Sequence, residues 1–151
     1  MKPLLFAILG FLSLQLVAQS EHTNWFSQIE EAQAYASEHE VPILMVFAGS
    51  DWCRPCIQFK QDILLSPDFE TYAAEHLAIL YLDFPARRKN QLPEEQTKHN
   101  ELLADKYNSS GAFPKLVLLD AKEEVLQEPT FHSQTPAVFI EEITAVKTNP
   151  E

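Results

Sequence analysis

Two cysteines, Cys53 and Cys56, are the residues of this 151-residue chain whose type and spacing point most directly to chemistry. A disulfide that only staples a fold gains most when it closes a long loop, because it acts by constraining the unfolded chain. A disulfide that closes a loop across two intervening residues adds little stability. On a helix the two residues lie one turn apart, so their sulfur atoms can meet. A Cys53–Cys56 disulfide is therefore better placed for reversible thiol–disulfide chemistry than for a structural cross-link.

The position of the pair predicts different roles for its two members. The apolar run 43–47 ends in a turn at 49–51, and we expect a helix from about Cys53 to Leu64. The unpaired N–H groups and partial positive charge of a helix N-terminus stabilise a thiolate at Cys53. Cys56 shares a helix face with apolar residues, and we expect it to be the more buried sulfur, which resolves a mixed disulfide.

The neighbours of the two cysteines bear on the same chemistry. Arg54 adds positive charge beside Cys53, whereas Asp51 opposes it, and the sequence leaves their balance open. Pro55 presets the helical φ angle and has no N–H to lose at a helix start. Trp52 offers a flat apolar side chain that shields the disulfide or contacts a substrate chain, although simple packing explains it equally well.

A Cys-X-X-Cys pair has two other interpretations. It is half of a common zinc site, but the chain contains no second cysteine pair. Its five histidines are scattered without the spacing of a ligand pair: His22, His39, His76, His99 and His132. An inert disulfide is the other alternative. The strand-to-helix context favours a redox pair, so we expect no metal and no cofactor.

A second signal is the segment 111–114, immediately before the predicted strand 115–119. Proline is tolerated at the first residue of a strand, and a tight turn there is a typical place for a cis bond. Gly111 indicates a demanding backbone or simply caps the preceding helix. The apolar run 43–47 needs cover on both sides, so we expect it at the centre of the sheet between 77–82 and 115–119. Strand 115–119 then runs antiparallel to it, since the final hairpin adds at the outer edge, and its start lies beside Cys53. We therefore predict that the Phe113–Pro114 bond is cis and that Pro114 lies against the cysteine turn.

The periodicity of the chain predicts an α/β fold in the order α-β-α-α-β-α-β-β-α. Strands joined through helices must be parallel, whereas the last two form an antiparallel hairpin. The result is a central mixed four-stranded sheet flanked by helices on both faces. A capping box at Ser27–Glu30 opens the first helix, and Ser66 and Thr135 are each predicted as an N-cap followed by proline at the first helical position. The predicted strands are 43–47, 77–82, 115–119 and 124–127, and the predicted helices end near His39, Leu64, Glu75, Tyr107 and Val146.

The first twenty residues form a separate element. Lys2 precedes an apolar stretch from Leu4 to Leu16, and small residues follow at 18–20, as in a secretory signal peptide. We therefore expect a signal peptide at 1–20, a single domain at 21–151 and a periplasmic or secreted protein. The alternative is an uncleaved N-terminal anchor. An exported chain occupies a compartment in which disulfides persist.

Together these motifs resemble the thioredoxin superfamily, and in particular the exported thioredoxin-like proteins of bacteria. The resemblance covers nearly all of the chain beyond residue 20 and implies the thioredoxin fold. It also implies that Cys53 is the attacking thiol and Cys56 the resolving thiol. Pro114 corresponds to the cis-proline that meets substrate backbone, with Trp52 and Phe113 as further substrate contacts.

The chain departs from the thioredoxin pattern at three places. Arg54–Pro55 replaces the usual Gly-Pro pair, and because this pair tunes the redox potential, the direction of electron flow stays open. The stretch 44–47 is apolar where thioredoxin has a buried aspartate. The Asp83–Pro93 connection is longer than usual, and its basic run 87–89 is either a docking patch or, more simply, a solvated loop.

The sequence thus predicts an exported thiol–disulfide oxidoreductase, with reduction favoured over oxidation and isomerisation. Its expected partners are cysteine-containing client proteins and an upstream thiol–disulfide protein, and we expect a monomer. The net charge of −11 argues against binding to nucleic acid or anionic lipid. The alternative function is a binding or scaffold module of thioredoxin fold with a passive disulfide.

Overall fold

The computed structural model describes residues 24–145, which form one mixed sheet with helices on both faces. The strands are β1 (Trp25–Phe26), β2 (Ile43–Ala48), β3 (Ala78–Asp83), β4 (Lys115–Leu119) and β5 (Val125–Gln127). The helices are α1 (Ile29–His39), α2 (Arg54–Phe59), α3 (Pro67–His76), α4 (Glu94–Tyr107) and α5 (Pro136–Thr144). A π-helical turn, Lys60–Leu64, continues α2, and a short 3₁₀ turn, Arg88–Asn90, lies between β3 and α4.

The sheet order is β1-β3-β2-β4-β5, with β2 at the centre. β3 runs parallel to β2, β4 runs antiparallel to it, and β5 pairs antiparallel with β4. β2 reads as a continuous apolar run because both of its faces are covered, and all six of its residues are buried. The predicted centre and strand directions are therefore confirmed.

Alternate residues of β2 face two different cores. Leu44, Val46 and Ala48 contact the core beneath α2, α3 and α5, which also contains both cysteines. The other three residues of β2 contact the core beneath α1 and α4. Since side chains alternate along a strand, one strand supports both layers. The layer that holds the cysteines is therefore built directly on the centre of the sheet.

The prediction of four strands is wrong by one. Trp25 and Phe26, which precede the predicted capping box, form the two-residue edge strand β1 parallel to β3. Asn24 anchors this strand: its side-chain amide donates to the carbonyls of Ala73 and Leu77. Two residues are too few to show an alternating pattern, so the pairing partners rather than the local sequence define this strand.

The predicted capping box of the first helix is also wrong. Gln28 is the residue at the N-cap, and its side chain makes no capping hydrogen bond. Instead, the backbone N–H of Ile29 donates to His99 Nε2 at 3.2 Å, and Gln96 donates to the carbonyl of Ser27 at 2.9 Å. A helix distant in sequence, α4, thus supplies the cap that the local motif was expected to supply.

The remaining helix boundaries follow the sequence closely. Ser66 and Thr135 cap α3 and α5 through their side chains, as predicted. The second helix ends near Leu64 as expected, but its last five residues widen into a π turn. The predicted signal peptide at 1–20 and the last residues of the chain lie outside the described residues. Within residues 24–145, no helix is long and apolar enough to cross a membrane.

Candidate active site at the Cys53–Cys56 turn

Cys53 and Cys56 are joined by a disulfide at the start of α2, directly after the turn that leaves the centre of the sheet. Cys53 is the N-cap of α2, and its backbone N–H donates to the carbonyl of Gly49 at 2.9 Å. The N–H of Cys56 donates to Cys53 Sγ at 3.3 Å. This donor would stabilise negative charge on the Cys53 sulfur once the disulfide is reduced.

The disulfide is nearly covered in the folded chain. Cys53 is 4% exposed and Cys56 is 1% exposed, so little of either sulfur reaches solvent in the oxidised state. Cys56 lies with Phe59 and Ile63 in the core beneath α2, as the helical spacing predicts. Arg54 and Pro55, between the cysteines, are both exposed. The exposed part of the cysteine turn is therefore its outer rim.

Trp52 forms part of that rim, because its indole is half exposed. Its Nε1–H donates to the carbonyl of Phe84 at 2.7 Å. The indole lies directly over Gly49: a Cβ atom there would sit 2.3 Å from Trp52 Cε2. Gly49 is therefore required for the close approach of an aromatic ring rather than for a left-handed backbone.

An aromatic cluster links the cysteine turn to the segment before β4. Phe113 lies edge-on to Trp52, with ring centroids 5.2 Å apart, and edge-on to Phe84 at 5.4 Å. The Phe113–Pro114 peptide bond is cis, as predicted, and Gly111 has a positive φ of 65°. The demanding backbone predicted at Gly111 is therefore confirmed.

The sheet register explains why these segments meet. Lys115, the first residue of β4, pairs with Phe47 near the end of β2. The Pro114 turn and the cysteine turn consequently lie at the same end of the sheet. Phe113 packs against the core that contains both cysteines. The structure thus brings Trp52, Phe113 and Pro114 to one end of the sheet.

Asp51 does not face Arg54 as a simple opposing charge. Its carboxylate accepts hydrogen bonds from the backbone N–H groups of Ala86 and Arg87 at 2.9 and 3.0 Å, and from Asn90 Nδ2 at 2.8 Å. The backbone hydrogen bond from Ala86, together with the Asn90 amide, holds the pKa of Asp51 below its ordinary value. Asp51 therefore fastens the β3–α4 loop, residues 84–93, to the cysteine turn.

Two partly buried polar side chains, Tyr81 and Lys60, lie against each other near the core that contains the cysteines. Tyr81 of β3 pairs in register with Val46, and Lys60 Nζ lies 4.7 Å from the centre of its ring. Burial, with a contribution from the charge of Asp83, raises the pKa of Tyr81 to about 12. The buried residues of this core, within the described chain, include no acidic side chain.

Sequence reasoning missed two contributors to the site. Phe84 supplies both the acceptor for the Trp52 indole and an aromatic contact to Phe113. Asp83 accepts hydrogen bonds from the backbone N–H and the hydroxyl of Ser50, at 2.8 and 2.6 Å. Both follow from the register of β3 beside β2, which places 83–84 next to the turn after Ala48. Neither carries a local sequence signal.

This arrangement defines a class of protein. A cysteine pair at the strand-to-helix turn of a thioredoxin fold, facing a cis-proline segment, is the site of a thiol–disulfide oxidoreductase. A thioredoxin-like family model matches residues 24–121, and the chain belongs to the thioredoxin-like family. Within the described residues, no cluster of three or more histidine, cysteine or acidic side chains is arranged to hold a metal ion.

Two curated relatives come from Chlamydia pneumoniae. The disulfide bond reductase DsbH is 36% identical over 120 residues, which cover 80% of this chain and 70% of DsbH. The thioredoxin-related protein DsbJ is 26% identical over 117 residues, which cover 77% of this chain but only 33% of DsbJ. The cysteine pair and the likeness to DsbH identify the chain as a thiol–disulfide oxidoreductase.

Solved structures agree with this assignment. A DsbH oxidoreductase superimposes with a TM-score of 0.74 at 33% identity, covering 81% of this chain and 82% of its own. A thioredoxin from Thermus thermophilus gives a TM-score of 0.59 at 22% identity, covering 80% and 84% of the two chains. A disulphide isomerase from Xylella fastidiosa gives 0.58 at 18% identity, covering 84% and 96%. The last two establish the fold alone.

Proposed function

We propose that this chain is an exported protein-disulfide reductase in which Cys53 attacks client disulfides and Cys56 resolves the intermediate. The observation that carries the proposal is the Cys53–Cys56 pair at the start of α2, where the Cys56 N–H donates to Cys53 Sγ. Among residues 24–145, Cys56 Sγ receives no such donor. Cys53 is also the residue nearer the exposed rim, whereas Cys56 points into the core.

The reaction consists of two thiol–disulfide exchanges. The Cys53 thiolate attacks one sulfur of a client disulfide, the client S–S bond breaks, and the released client thiolate takes up a proton. The Cys56 thiolate then attacks Cys53 Sγ and expels the second client thiol. Two electrons pass from the dithiol to the client, and the protein ends in its oxidised form. An upstream dithiol protein must reduce the Cys53–Cys56 disulfide again.

The surroundings of Cys53 support reduction as the direction. Strong oxidants of this chemistry hold their reduced form in a specially stabilised state. Among the described residues, the Cys56 N–H is the one hydrogen-bond donor to Cys53 Sγ, and no histidine donates to it. A thiolate with little extra stabilisation is a better electron donor. The relative named as a disulfide bond reductase, at 36% identity, favours the same direction.

The residues around the disulfide also have roles in the proposed reaction. Trp52 and Phe113 present a half-exposed aromatic surface beside the disulfide, and Pro114 offers client backbone a carbonyl without a competing N–H. Arg54 and Pro55 tune the redox potential from between the cysteines. Client proteins are those with accessible disulfides, and the chain acts as a monomer.

Export rests on the sequence of residues 1–20. The test is the intact mass of the protein recovered from the periplasm of an expressing bacterium. We expect a chain that begins at Glu21, with ten basic and 22 acidic residues and a net charge of −12. Full-length protein in the cytoplasm would contradict the proposal.

The direction is tested by the reduction potential of the Cys53–Cys56 pair. We expect a value near that of thioredoxin, about −270 mV, whereas an oxidant would lie near −120 mV. Insulin reduction in the presence of a chemical reductant measures the activity itself. The Cys53→Ser/Cys56→Ser variant is the control. Wild-type protein that reduces insulin no faster than this control would favour the passive scaffold alternative.

The roles of the cysteines are tested by trapping. Cys56→Ser leaves Cys53 as the sole thiol, so clients should accumulate as mixed disulfides that a reductant releases. Cys53→Ser should trap none. If Cys53→Ser alone gives high-mass bands, the two roles are reversed.

A further inference from the structure

Hydrogen bonds fix the β3–α4 loop to the cysteine turn. Three hydrogen bonds to the Asp51 carboxylate and one from the Trp52 indole fix residues 84–90 beside the pair that precedes Cys53. The short 3₁₀ turn Arg88–Asn90 lies within this fixed stretch. The basic residues of the loop therefore have a defined position relative to the disulfide.

Basic side chains without a partner concentrate at this place. Lys98, Lys106 and Lys115 each form a salt bridge with a glutamate, and Lys60 lies against aromatic rings. Within residues 24–145, the basic side chains that form no salt bridge, hydrogen bond or aromatic contact are Arg54, Arg87, Arg88, Lys89 and Lys122, and of these Arg87 is attracted electrostatically to Asp51. The first four, which we call the basic cluster, are all exposed and belong to the cysteine turn or to the loop fixed on it.

The charge of the whole chain makes this cluster selective. With a net charge of −11, most of the surface repels anions, whereas the Asp51 carboxylate beside the cluster is engaged in holding the loop. An extended polyanion such as nucleic acid would span the repelling surface as well as the cluster. A short acidic peptide segment needs only the cluster. Charge complementarity therefore favours an acidic segment of a protein client.

We propose that the basic cluster selects clients with acidic residues flanking the disulfide, and that it guides that disulfide to Cys53. This inference rests on the proposed reductase function, because it names the client class of the same site. Opposite charges at the rim of an interface act mainly on the rate of encounter and on the choice of partner. The cluster would thus raise the rate for acidic clients without changing the chemistry of exchange.

The test uses two synthetic peptides that carry the same disulfide, one flanked by glutamates and the other by glutamines. The mature protein, residues 21–151, is reduced and mixed with each peptide. The second-order rate of peptide reduction is measured at low salt and at about 0.5 M salt. We expect the acidic peptide to react about fivefold faster at low salt, and the preference to vanish at high salt. Arg88→Gln/Lys89→Gln should remove most of this preference.

Lys122→Gln is the matched control, because it removes an exposed, unpaired positive charge on the β4–β5 hairpin. It should keep the preference. If Arg88→Gln/Lys89→Gln slows both peptides equally, the cluster acts on Cys53 itself and the inference is wrong. Equal rates for both peptides with wild-type protein would also overturn it.

A binding measurement separates this inference from the proposed function. The same two peptides are made with serine in place of both cysteines, and their binding to the oxidised protein is followed by fluorescence anisotropy. Selective binding of the acidic peptide, lost in Arg88→Gln/Lys89→Gln, would support the cluster even if the protein failed to reduce either disulfide. Reduction of both peptides without selective binding would retain the reductase and reject the cluster.

Discussion

Gly49 shows how one hydrogen atom in place of a side chain can shape the site. The Trp52 indole occupies the space that a Cβ at position 49 would need, 2.3 Å from the nearest ring atom. Gly49→Ala must therefore displace the indole from the Phe84 carbonyl and from Phe113. We expect a loss of about 1–3 kcal/mol in the free energy of unfolding, as for other overpacked sites. Urea unfolding of the oxidised protein measures it.

A double-mutant cycle isolates the cause. In a Trp52→Ala background the ring is gone, so Gly49→Ala should have almost no effect on stability. If the loss persists in that background, the substitution acts through the backbone and the steric explanation is wrong.

Glu123 joins three parts of the chain through one carboxylate. It accepts hydrogen bonds from Lys106 Nζ at 2.6 Å, the Tyr107 hydroxyl at 2.8 Å and Gln33 Nε2 at 3.0 Å. The hydrogen bond from Lys106, opposed in part by burial, lowers the pKa of Glu123. A carboxylate whose pKa is lower in the folded state stabilises the fold above its unfolded pKa, and this stabilisation is lost as the pH falls through the folded pKa.

Glu123→Gln should therefore destabilise the protein by about 1–2 kcal/mol at pH 7 and by much less at pH 3. Urea unfolding at the two pH values tests this difference. Glu124→Gln is the control, because its side chain is exposed and is not part of this network. An equal loss at both pH values for Glu123→Gln would exclude the charge as the cause.

At the scale of elements, the sequence predicted what neighbouring residues determine. The caps at Ser66 and Thr135 are short-range hydrogen bonds, and both are formed by the residues that the sequence indicated. The capping prediction for the start of α1 failed because the cap comes from His99, 70 positions away. The π turn after Phe59 could not be predicted either, since widening a helix by one residue hardly changes its apolar pattern.

Three of the hydrogen bonds that fix the β3–α4 loop are accepted by one carboxylate, that of Asp51. Asp51→Asn keeps the size of the side chain but removes the negative charge and one of the two accepting oxygens, so the Ala86 and Arg87 amides lose a strong acceptor. We expect hydrogen exchange in residues 84–90 to become several-fold faster. Because the pKa of Asp51 is lowered in the fold, the same loosening should occur in wild-type protein only when the pH falls through that lowered pKa.

Exchange mass spectrometry of peptides covering 84–90 measures this opening. Asp62→Asn is the matched control, since Asp62 is an exposed carboxylate with no hydrogen-bond partner among the described residues. Unchanged exchange in Asp51→Asn would show that other hydrogen bonds, such as those that join Phe84 to Trp52 and Ala48, hold the loop without the carboxylate.

At the scale of the whole molecule, the sheet order could be predicted from the need to bury both sides of one apolar strand. The run 43–47 is apolar throughout and needs neighbours on both sides, which fixed β3 and β4 around it and brought Pro114 to the cysteine edge. The long-range contacts of the site could not be predicted in the same way. Phe84 contacts Trp52 because β3 and β2 end side by side, and no local sequence pattern indicates that contact.

Redox potential and conformational stability are linked in the whole protein by one thermodynamic cycle. Folding shifts the potential of the Cys53–Cys56 pair by the difference in stability between the oxidised and dithiol forms. In an oxidant the folded reduced form is the more stable. A reductase requires the reverse, so we expect the oxidised protein to resist urea better than the reduced protein. Every 30 mV by which folding lowers the potential should add about 1.4 kcal/mol to that difference.

The two sides of the cycle can be measured independently. Urea unfolding with and without reductant gives the stability difference, and equilibration of the folded and the urea-unfolded protein with a thiol buffer gives the two potentials. The Cys53→Ser/Cys56→Ser variant must unfold identically with and without reductant, which excludes an effect of the reductant itself. A reduced protein that is more stable than the oxidised one would contradict the reductase assignment, whatever the chain's likeness to a reductase, because folding would then raise the potential of the pair rather than lower it.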